Sequence, residues 1–428
     1  MKRYIYKQLL AWKNEKEHKP LILNGARQVG KTYILREFGR NEYKRMAFFS
    51  LDRDQKALEI FNKGGRATDM LMALSAICHE DITPHDTLVV LDEIQNCPKA
   101  LEALKFFCEE TPEIDIVVAG SLLGLSIHSG VSYPVGKVEE LHLYPMTFLE
   151  FLEAMGKTQL VNLLENKNWT VINMLETELI SSLRQYYYVG GMPAAVLAHI
   201  EKKGWKEVRR IQQQIITDYR RDFSKHAPTR ETPRINMVWD SIPAQLAKEN
   251  KKFVYGAVKK SARAADFEMA IQWLIDAGLA YKVPRVNAPR LPLKFYEDIS
   301  AFKLFMLDVG LMGAMAETTA ESVVVGDNIF SEYKGAFTEL YVFTQLKALG
   351  YSLYYHAVDN STIEIDFLTQ RDNQVIPIEV KAEVNVKAKS LRTFISNNPE
   401  LKGIRFSMLP YKEQDWMTNI PLYACMAW

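Results

Sequence analysis

The amino-acid sequence predicts an α/β fold whose first part is a parallel sheet covered by helices. Between Lys19 and Leu143, short runs of β-forming residues alternate with helical segments, which is typical of such a sheet. The stretch from Tyr144 to Lys225 is mainly helical, and strands follow a helix again after Phe330. We therefore expect a parallel-sheet domain, a helical region and a second α/β domain.

Composition and length set the class of protein. The 428 residues exceed one ordinary hydrophobic core, so several domains are expected. With 48% hydrophobic and 25% charged residues, the chain is neither disordered nor fibrous. The formal net charge is +1, so a nucleic-acid surface would have to come from local clustering of basic residues. No run approaches the roughly 18 apolar residues of a membrane span, and we expect a cytoplasmic protein without membrane contact.

Short apolar runs define the strands of the first domain. Ligands in open α/β sheets bind at the carboxyl ends of the strands, so the turn after each run is a candidate site position. The predicted strands are Leu21–Asn24, Met46–Asp52, Leu88–Asp92, Ile114–Gly120 and Val138–Leu143.

The turn after the first strand matches the pattern G-x-x-x-x-G-K-[ST]. Its glycines let backbone N–H groups surround phosphates, and the following helix N-terminus favours an anion. Lys31 reaches the β and γ oxygens, and the Thr32 hydroxyl ligates Mg²⁺. The motif predicts a P-loop NTPase domain that binds ATP with Mg²⁺. The predicted cofactor-binding residues are Gly25, Ala26, Arg27, Gln28, Val29, Gly30, Lys31, Thr32 and Tyr33.

Two acids end the third strand, and a serine follows the fourth. A P-loop protein needs one carboxylate to hold magnesium and one to orient or deprotonate water; Asp92 fits the first role and Glu93 the second. Ser121 is the candidate sensor of the γ-phosphate, and Lys31, Glu93 and Ser121 are the predicted catalytic residues. The alternatives are a solvated strand end for the acids and a helix N-cap for Ser121.

Five segments recur in this order in a prokaryotic family. They are Gly25–Thr32, Leu91–Gln95, Tyr144–Phe151, Gly190–Pro193 and Ile378–Lys381. The chain resembles the AAA-family (AAA+-like) ATPases that carry a C-terminal domain of unknown function 4143, over nearly its whole length. The resemblance implies an ATP-binding domain, a winged-helix-like middle and a nuclease-like C-terminal fold.

Family-type ATPases also complete their site with an arginine, from the lid or from a neighbouring subunit. Arg184, Arg220 and Arg221 are candidates by position, but none lies in a motif. The oligomeric state therefore stays open.

A second cluster of candidate residues lies near the end of the chain. Residues 364–368 and 377–381 read as adjacent strands that place Asp366, Glu379 and Lys381 on one side, with Glu339 on the preceding helix. This resembles the core of PD-(D/E)XK (restriction-endonuclease-like) nucleases, which implies bound divalent metal. A salt-bridge network on a sheet face and an inactive descendant of the nuclease fold are the alternatives.

These segments suggest four domains and two basic faces. The expected domains are an ATPase domain (1–145), a helical lid or connector (146–232), a winged-helix-like domain with a hairpin of Leu279–Val286 and Leu293–Tyr296 (233–325), and the nuclease-like domain (326–428). Residues 202–225 and 248–263 are rich in lysine and arginine, so either could contact DNA phosphates or be a solvated helical face.

Three functions fit this sequence. The first is a Mg-dependent ATPase whose nucleotide state controls its C-terminal domains. The second is an ATP-gated effector that binds or cleaves DNA, and the third is a slow nucleotide-dependent switch that binds protein partners.

Overall fold

The structure is a computed structural model that describes residues 1–121, 123–124, 132–248, 251–326, 328–358, 363–382 and 389–428, without the side chains of 325–333. It divides into two compact units. The first comprises residues 2–144 with 276–279, and the second comprises Met1, 145–275 and 280–428.

The first unit contains a five-stranded parallel sheet with the order β2-β3-β4-β1-β5. Its strands are β1 (Leu21–Asn24), β2 (Arg45–Ser50), β3 (Thr87–Asp92), β4 (Asp115–Ala119) and β5 (Glu139–His142). The predicted parallel sheet is confirmed. The bounds of β1 are those predicted, and the bounds of the other four strands differ from the predicted ones by at most two residues.

Helices of the first unit cover the sheet. They are α1 (Ile5–Asn14), α2 (Lys31–Glu42), α3 (Gln55–Lys63), α4 (Ala67–Cys78) and α5 (Pro98–Glu110). Every residue of β3 and β4 is buried, because central strands of a parallel sheet are covered on both faces. This explains why both strands are almost continuous apolar runs that end abruptly in polar residues.

The second unit begins with a mainly helical region, as predicted. The helices of the whole second unit are α6 (Phe148–Ala154), α7 (Thr158–Glu165), α8 (Trp169–Met174), α9 (Glu176–Val189), α10 (Pro193–Ile200), α11 (Trp205–His226), α12 (Thr232–Leu246), α13 (Tyr255–Val258), α14 (Ala264–Asp276), α15 (Val309–Met315), α16 (Asn328–Ala348) and α17 (Lys389–Asn397). Within the described residues, no helix is both long and apolar enough to cross a bilayer.

The break between α9 and α10 is fixed by a buried carboxylate. Asp308 caps α15 by accepting from the Leu311 N–H at 2.9 Å, and it also accepts from the Gly191 N–H at 2.6 Å. Gly190 has a φ of +72°, and a Cβ there would lie 2.3 Å from the Asp308 carboxylate. Asp308 therefore ties the Gly-Gly turn to the start of α15.

The second unit also contains an eight-stranded mixed sheet with the order β12-β13-β11-β10-β9-β8-β6-β7. Its strands are β6 (Ala280–Val286), β7 (Glu297–Met306), β8 (Tyr354–Ala357), β9 (Glu364–Arg371), β10 (Gln374–Val380), β11 (Gly403–Ser407), β12 (Lys412–Glu413) and β13 (Met417–Pro421). The β6–β7 hairpin pairs with β8 across the boundary expected at 325/326. The division into four domains stays a prediction.

The expected second strand of the hairpin was misplaced. Leu293–Tyr296 forms a 3₁₀ turn, and the strand that pairs with β6 begins at Glu297. The Leu293 N–H donates to the Gln370 side chain at 3.1 Å, and the Asn287 N–H donates to the Tyr296 carbonyl at 2.9 Å. The bond within the loop and the nonlocal bond to Gln370 hold a hairpin loop that is longer than the predicted one.

Candidate functional site

The predicted P-loop connects β1 to α2. Gly25 and Gly30 have φ values of +148° and +99°, a region where side chains cause strain. A Cβ on Gly25 would lie 2.3 Å from the Leu143 carbonyl oxygen. Both motif glycines are therefore required by the backbone path, as the sequence predicted.

Lys31 is the first residue of α2, and its side chain is buried against the loop. The ammonium donates to the carbonyl oxygens of Gly25 and Ala26, at 2.7 and 2.8 Å. Burial lowers the pKa of Lys31 to about 8, against the carboxylates of Glu93 and Asp92, which raise it. A phosphate oxygen is a stronger acceptor for an ammonium than a main-chain carbonyl. The phosphates of a bound nucleotide would therefore replace the two carbonyl oxygens as acceptors of the Lys31 hydrogen bonds.

Thr32 and Asp92 meet although they are far apart in the sequence. The Thr32 hydroxyl donates to Asp92 Oδ2 at 2.7 Å, which brings together the two predicted magnesium ligands from α2 and the end of β3. Burial raises the pKa of the Asp92 carboxyl, and the bond from Thr32 acts in the opposite direction. A hydroxyl and a buried carboxylate at this distance are a donor set that fits Mg²⁺.

Glu93 has a left-handed backbone conformation immediately after the strand. Its φ is +54°, which is uncommon for a residue other than glycine. The Glu93 N–H donates to Asp92 Oδ1 at 3.1 Å, and the Gln95 side-chain amide donates to the Glu93 carboxylate. The backbone turn and the Gln95 bond hold the two carboxylates of the acidic pair side by side.

Ser121 follows β4, the strand that lies between β1 and β3 in the sheet. It is 5% exposed, and no described group hydrogen bonds to its hydroxyl. A buried hydroxyl without a partner is costly. Its position after the strand beside both the P-loop strand and the acidic strand suits a group that bonds to a bound phosphate.

The other predicted cofactor residues differ in exposure. Ala26 and Val29 are 2% and 0% exposed, and Arg27 is half-buried. The Tyr33 side chain is 54% exposed, so it is available to a ligand base but packs little within the unit. The roles of these side chains stay predictions.

In the C-terminal cluster, Asp366 and Glu379 lie on neighbouring strands. The β9–β10 register pairs Ile378 with Phe367, which places Glu379 opposite Asp366. The Val380 N–H donates to Asp366 Oδ2 at 2.7 Å. Adjacent strands with both carboxylates on one side were predicted, and the structure has this arrangement.

Glu339 and Lys381 complete the predicted group. The Glu339 carboxyl of α16 neighbours that of Asp366, and the Lys381 ammonium lies 3.0 Å from Glu379 Oε1. Burial and the neighbouring Glu339 raise the pKa of Asp366. Glu379 is 2% exposed. The four predicted residues therefore lie together in one cluster.

Two lysines that the sequence analysis missed also belong to this cluster. The Lys303 ammonium of β7 lies 2.6 Å from Glu364 Oε1 and 3.9 Å from Glu339 Oε2, and the Lys251 ammonium bonds to Glu339 Oε1. These two lysines outweigh the effect of burial and lower the pKa of Glu339. The sequence feature that could have identified Lys303 as a buried lysine is its position inside the apolar run of residues 301–306.

Three family models match the chain. A model described as an AAA domain matches residues 17–152, and a domain of unknown function (DUF4143) matches residues 334–424. Residues 180–322, between them, match another domain of unknown function (DUF8612). The chain joins an AAA domain to a DUF4143 domain. The AAA domain contains the P-loop, Asp92, Glu93 and Ser121, and DUF4143 contains the four predicted C-terminal residues.

Solved structures are similar to long stretches of the chain. The Walker-type ATPase of Pyrococcus abyssi is 14% identical over 74% of this chain and 95% of its own, with a TM-score of 0.46. Cdc6p of Pyrobaculum aerophilum is 12% identical over 76% of this chain and 96% of its own (TM-score 0.26). Drosophila ORC bound to DNA is 14% identical over 73% and 94% (TM-score 0.25). No curated protein matches the chain.

Arg3 is a further residue of the AAA domain site that sequence reasoning missed. Arg3 is 7% exposed, and its guanidinium donates to the carbonyl oxygens of Val29, at 2.9 Å, and Tyr144, at 2.6 Å. Arg3 thus contacts the P-loop from 26 residues upstream. It stands among several basic residues of the first segment, and nothing in that segment distinguishes it.

The basic residues near 202–225 are largely neutralised by local partners. Arg209 is half-buried and donates to the Thr318 carbonyl oxygen at 2.9 Å. Ion pairs within 4.0 Å join Lys203 to Glu201, Arg210 to Glu207, Arg220 to Asp240 and Arg221 to Asp218. This face is less positive than its composition indicates.

In the second basic segment, 248–263, Lys251 forms an ion pair with Glu339 of the C-terminal cluster and so does not contribute to a positive surface. Its Lys248, Lys259 and Lys260 are exposed, and residues 249 and 250 lie outside the described residues. A smaller positive surface therefore remains here.

Proposed function

We propose that the protein binds ATP with Mg²⁺ in its AAA domain and hydrolyses it. The observation that carries the proposal is the 2.7 Å bond between the Thr32 hydroxyl and Asp92. It joins the P-loop helix to the acidic strand at the point where a P-loop site needs a magnesium ion.

Each residue of the site has a distinct role in this proposal. The P-loop N–H groups and Lys31 bind the phosphates, and Thr32 with Asp92 holds Mg²⁺. When bound, Mg²⁺ neutralises charge on the transferred phosphoryl group. Glu93 orients the attacking water and accepts its proton, and the Ser121 hydroxyl donates to the γ-phosphate.

The test separates nucleotide binding from turnover. Glu93→Gln keeps the size of the side chain but removes the base, so ATP turnover should fall by about 10²-fold to 10⁴-fold while ATP still binds. Lys31→Ala should lose both binding and turnover. Glu102→Gln, a half-buried glutamate of α5, is the matched control and should retain both. Undiminished turnover in Glu93→Gln would overturn the assignment of the base.

We further propose that the nucleotide state of the AAA domain controls the C-terminal region. The alternative of a DNA-binding effector rests on the exposed lysines of 248–263, since the face near 202–225 is mostly paired. Wild-type turnover with and without duplex and single-stranded DNA, together with a gel shift over a salt titration, distinguishes it. Stimulation of ATP turnover by DNA, together with DNA binding that weakens steeply as salt increases, would support the hypothesis of a DNA-binding effector.

A slow switch that binds protein partners is the other alternative. It predicts tight ATP binding with turnover that DNA leaves unchanged. The DNA-cleaving form of the effector is less favoured, because lysines occupy the C-terminal carboxylate cluster. Loss of a DNA-cleaving activity in Lys381→Ala would reverse that preference.

A further inference from the structure

The C-terminal cluster has an unusual charge balance for a metal site. Four carboxylates, on α16, β9 and β10, face three lysine ammonium groups. The carboxylates are Glu339, Glu364, Asp366 and Glu379, and the lysines are Lys251, Lys303 and Lys381. A divalent cation usually supplies the positive charge that two buried carboxylates need, and here the protein supplies it.

Several oxygens that a metal would require already lie against ammonium or N–H groups of the protein, although Glu339 Oε2 and Glu379 Oε2 accept no hydrogen bond from a described group. Both carboxylate oxygens of Glu339 face ammonium groups, Oε1 that of Lys251 and Oε2 that of Lys303. Asp366 Oδ2 accepts from a backbone N–H. Among the described residues, no group of three or more His, Cys, Asp or Glu side chains is placed to hold a metal ion. The cluster as it stands does not fit the divalent metal that a nuclease-like fold implies.

The two internal lysines differ in how they are held. The side chain of Lys303 is 0% exposed and lies in the interior of β7, so it could leave only if the strand unpaired. The side chain of Lys251 is 13% exposed and lies on the nonhelical segment between α12 and α13. Lys251 is therefore the cation that can be removed while the sheet stays intact.

We propose that Lys251 and Lys303 take the charge-compensating place of a divalent cation, so that the cluster is a metal-free ion-pair site. Lys251 is the removable member, and its withdrawal leaves a place for one divalent cation at Glu339 and Asp366. A buried carboxylate that loses its partner is costly, and a metal ion would relieve that cost. The proposal is independent of ATP hydrolysis by the AAA domain.

The test counts Mn²⁺ bound to the nucleotide-free full chain, using the electron paramagnetic resonance signal of free Mn²⁺. Wild type and Glu339→Gln should bind the same number of ions, because the cluster of the wild type holds none. Lys251→Met should bind one more ion per chain, at least ten-fold more tightly than any site of the wild type. That gain should disappear in Lys251→Met/Glu339→Gln.

Lys259→Met is the matched control, since Lys259 is an exposed lysine of the same segment; it should behave as wild type. An ion that wild type binds and Glu339→Gln loses would overturn the proposal. So would a folded Lys251→Met that binds no more Mn²⁺ than Lys259→Met. If Lys251→Met does not fold, Lys251→Gln takes its place, and the comparison of wild type with Glu339→Gln still decides whether the cluster is metal-free.

Discussion

The Arg3 guanidinium donates a 2.9 Å hydrogen bond to the carbonyl oxygen of Val29, inside the P-loop. The C=O and the following N–H point in opposite directions across a trans peptide. The bond therefore fixes the Gly30 N–H so that it points away from Arg3. In the proposed ATP site, Arg3 would therefore position an N–H group that binds phosphate, although Arg3 lies outside the P-loop motif.

Replacing Arg3 should weaken nucleotide binding more than it slows turnover. In Arg3→Ala the Val29 carbonyl loses a buried charged donor, and a cost of about 1.4 kcal/mol corresponds to a tenfold rise in the Kd for ATP. The turnover at saturating ATP should change by less, and Arg3→Lys should recover part of the affinity. Arg40→Ala, at an exposed position of α2, is the control. Equal KM values for wild type and Arg3→Ala would exclude the positioning role.

ATP affinity should fall at alkaline pH because of Lys31. Burial lowers the pKa of the nucleotide-free Lys31 to about 8, and phosphates bind only its charged form well. The Kd should be constant below pH 8 and rise by up to about tenfold per pH unit above it. Calorimetry at pH 9 in two buffers of different ionisation enthalpy should detect proton uptake on binding. A Kd that stays constant to pH 9.5 would contradict this prediction.

Ser121→Ala should slow hydrolysis without loss of ATP binding. The hydroxyl is buried and lacks a partner among the described residues, so its removal costs the resting protein little stability. If it donates to the γ-phosphate, the loss of one such donor should lower kcat by roughly ten-fold to a thousand-fold. The control is Ser75→Ala, on α4. Ser126 is not used as the control because it lies outside the described residues. An unchanged kcat would leave Ser121 as a packing residue.

Asp308 should make the stability of the second unit depend on pH. Burial raises the pKa of its carboxyl to about 6, above the value of 3.8 in the unfolded chain. The folded state then holds the proton more tightly, so the stabilisation is complete below about pH 4 and is lost as pH rises to about 6. As the pH rises from about 4 to 6, the unfolding free energy of wild type should therefore fall by up to about 2 kcal/mol relative to that of Asp308→Asn, because the asparagine side chain does not titrate. Urea unfolding at several pH values measures the difference.

Asp308→Ala tests the same carboxyl by a different route. It leaves the N–H groups of Gly191 and Leu311 without their acceptor, which should cost about 1–3 kcal/mol at pH 7. Asp266→Ala, in the first turn of α14, is a control with an exposed carboxylate. If both variants unfold at the same urea concentration as wild type, Asp308 does not hold the turn.

The sequence predicted what local chemistry determines. The P-loop, Asp92 and Glu93 follow short apolar strands, and a motif with fixed spacing specifies their backbone. The 3₁₀ turn at Leu293–Tyr296 was missed because its partner, Gln370, is distant in the sequence. Lys251 and Lys303 were missed for the same reason, since a lysine is ordinarily solvated and nothing nearby indicates a buried carboxylate. Long-range pairing therefore decided each of these errors.

The sheet that runs from β7 to β12 limits how the chain can be divided. A fragment that begins at residue 326 would lack β6 and β7, so β8 would become an exposed edge open to pairing with other chains. The same fragment would contain Glu339 and Asp366 without Lys251 and Lys303, and thus buried negative charge without its counterions. The isolated C-terminal fragment should aggregate, so assays of its chemistry require the full-length chain.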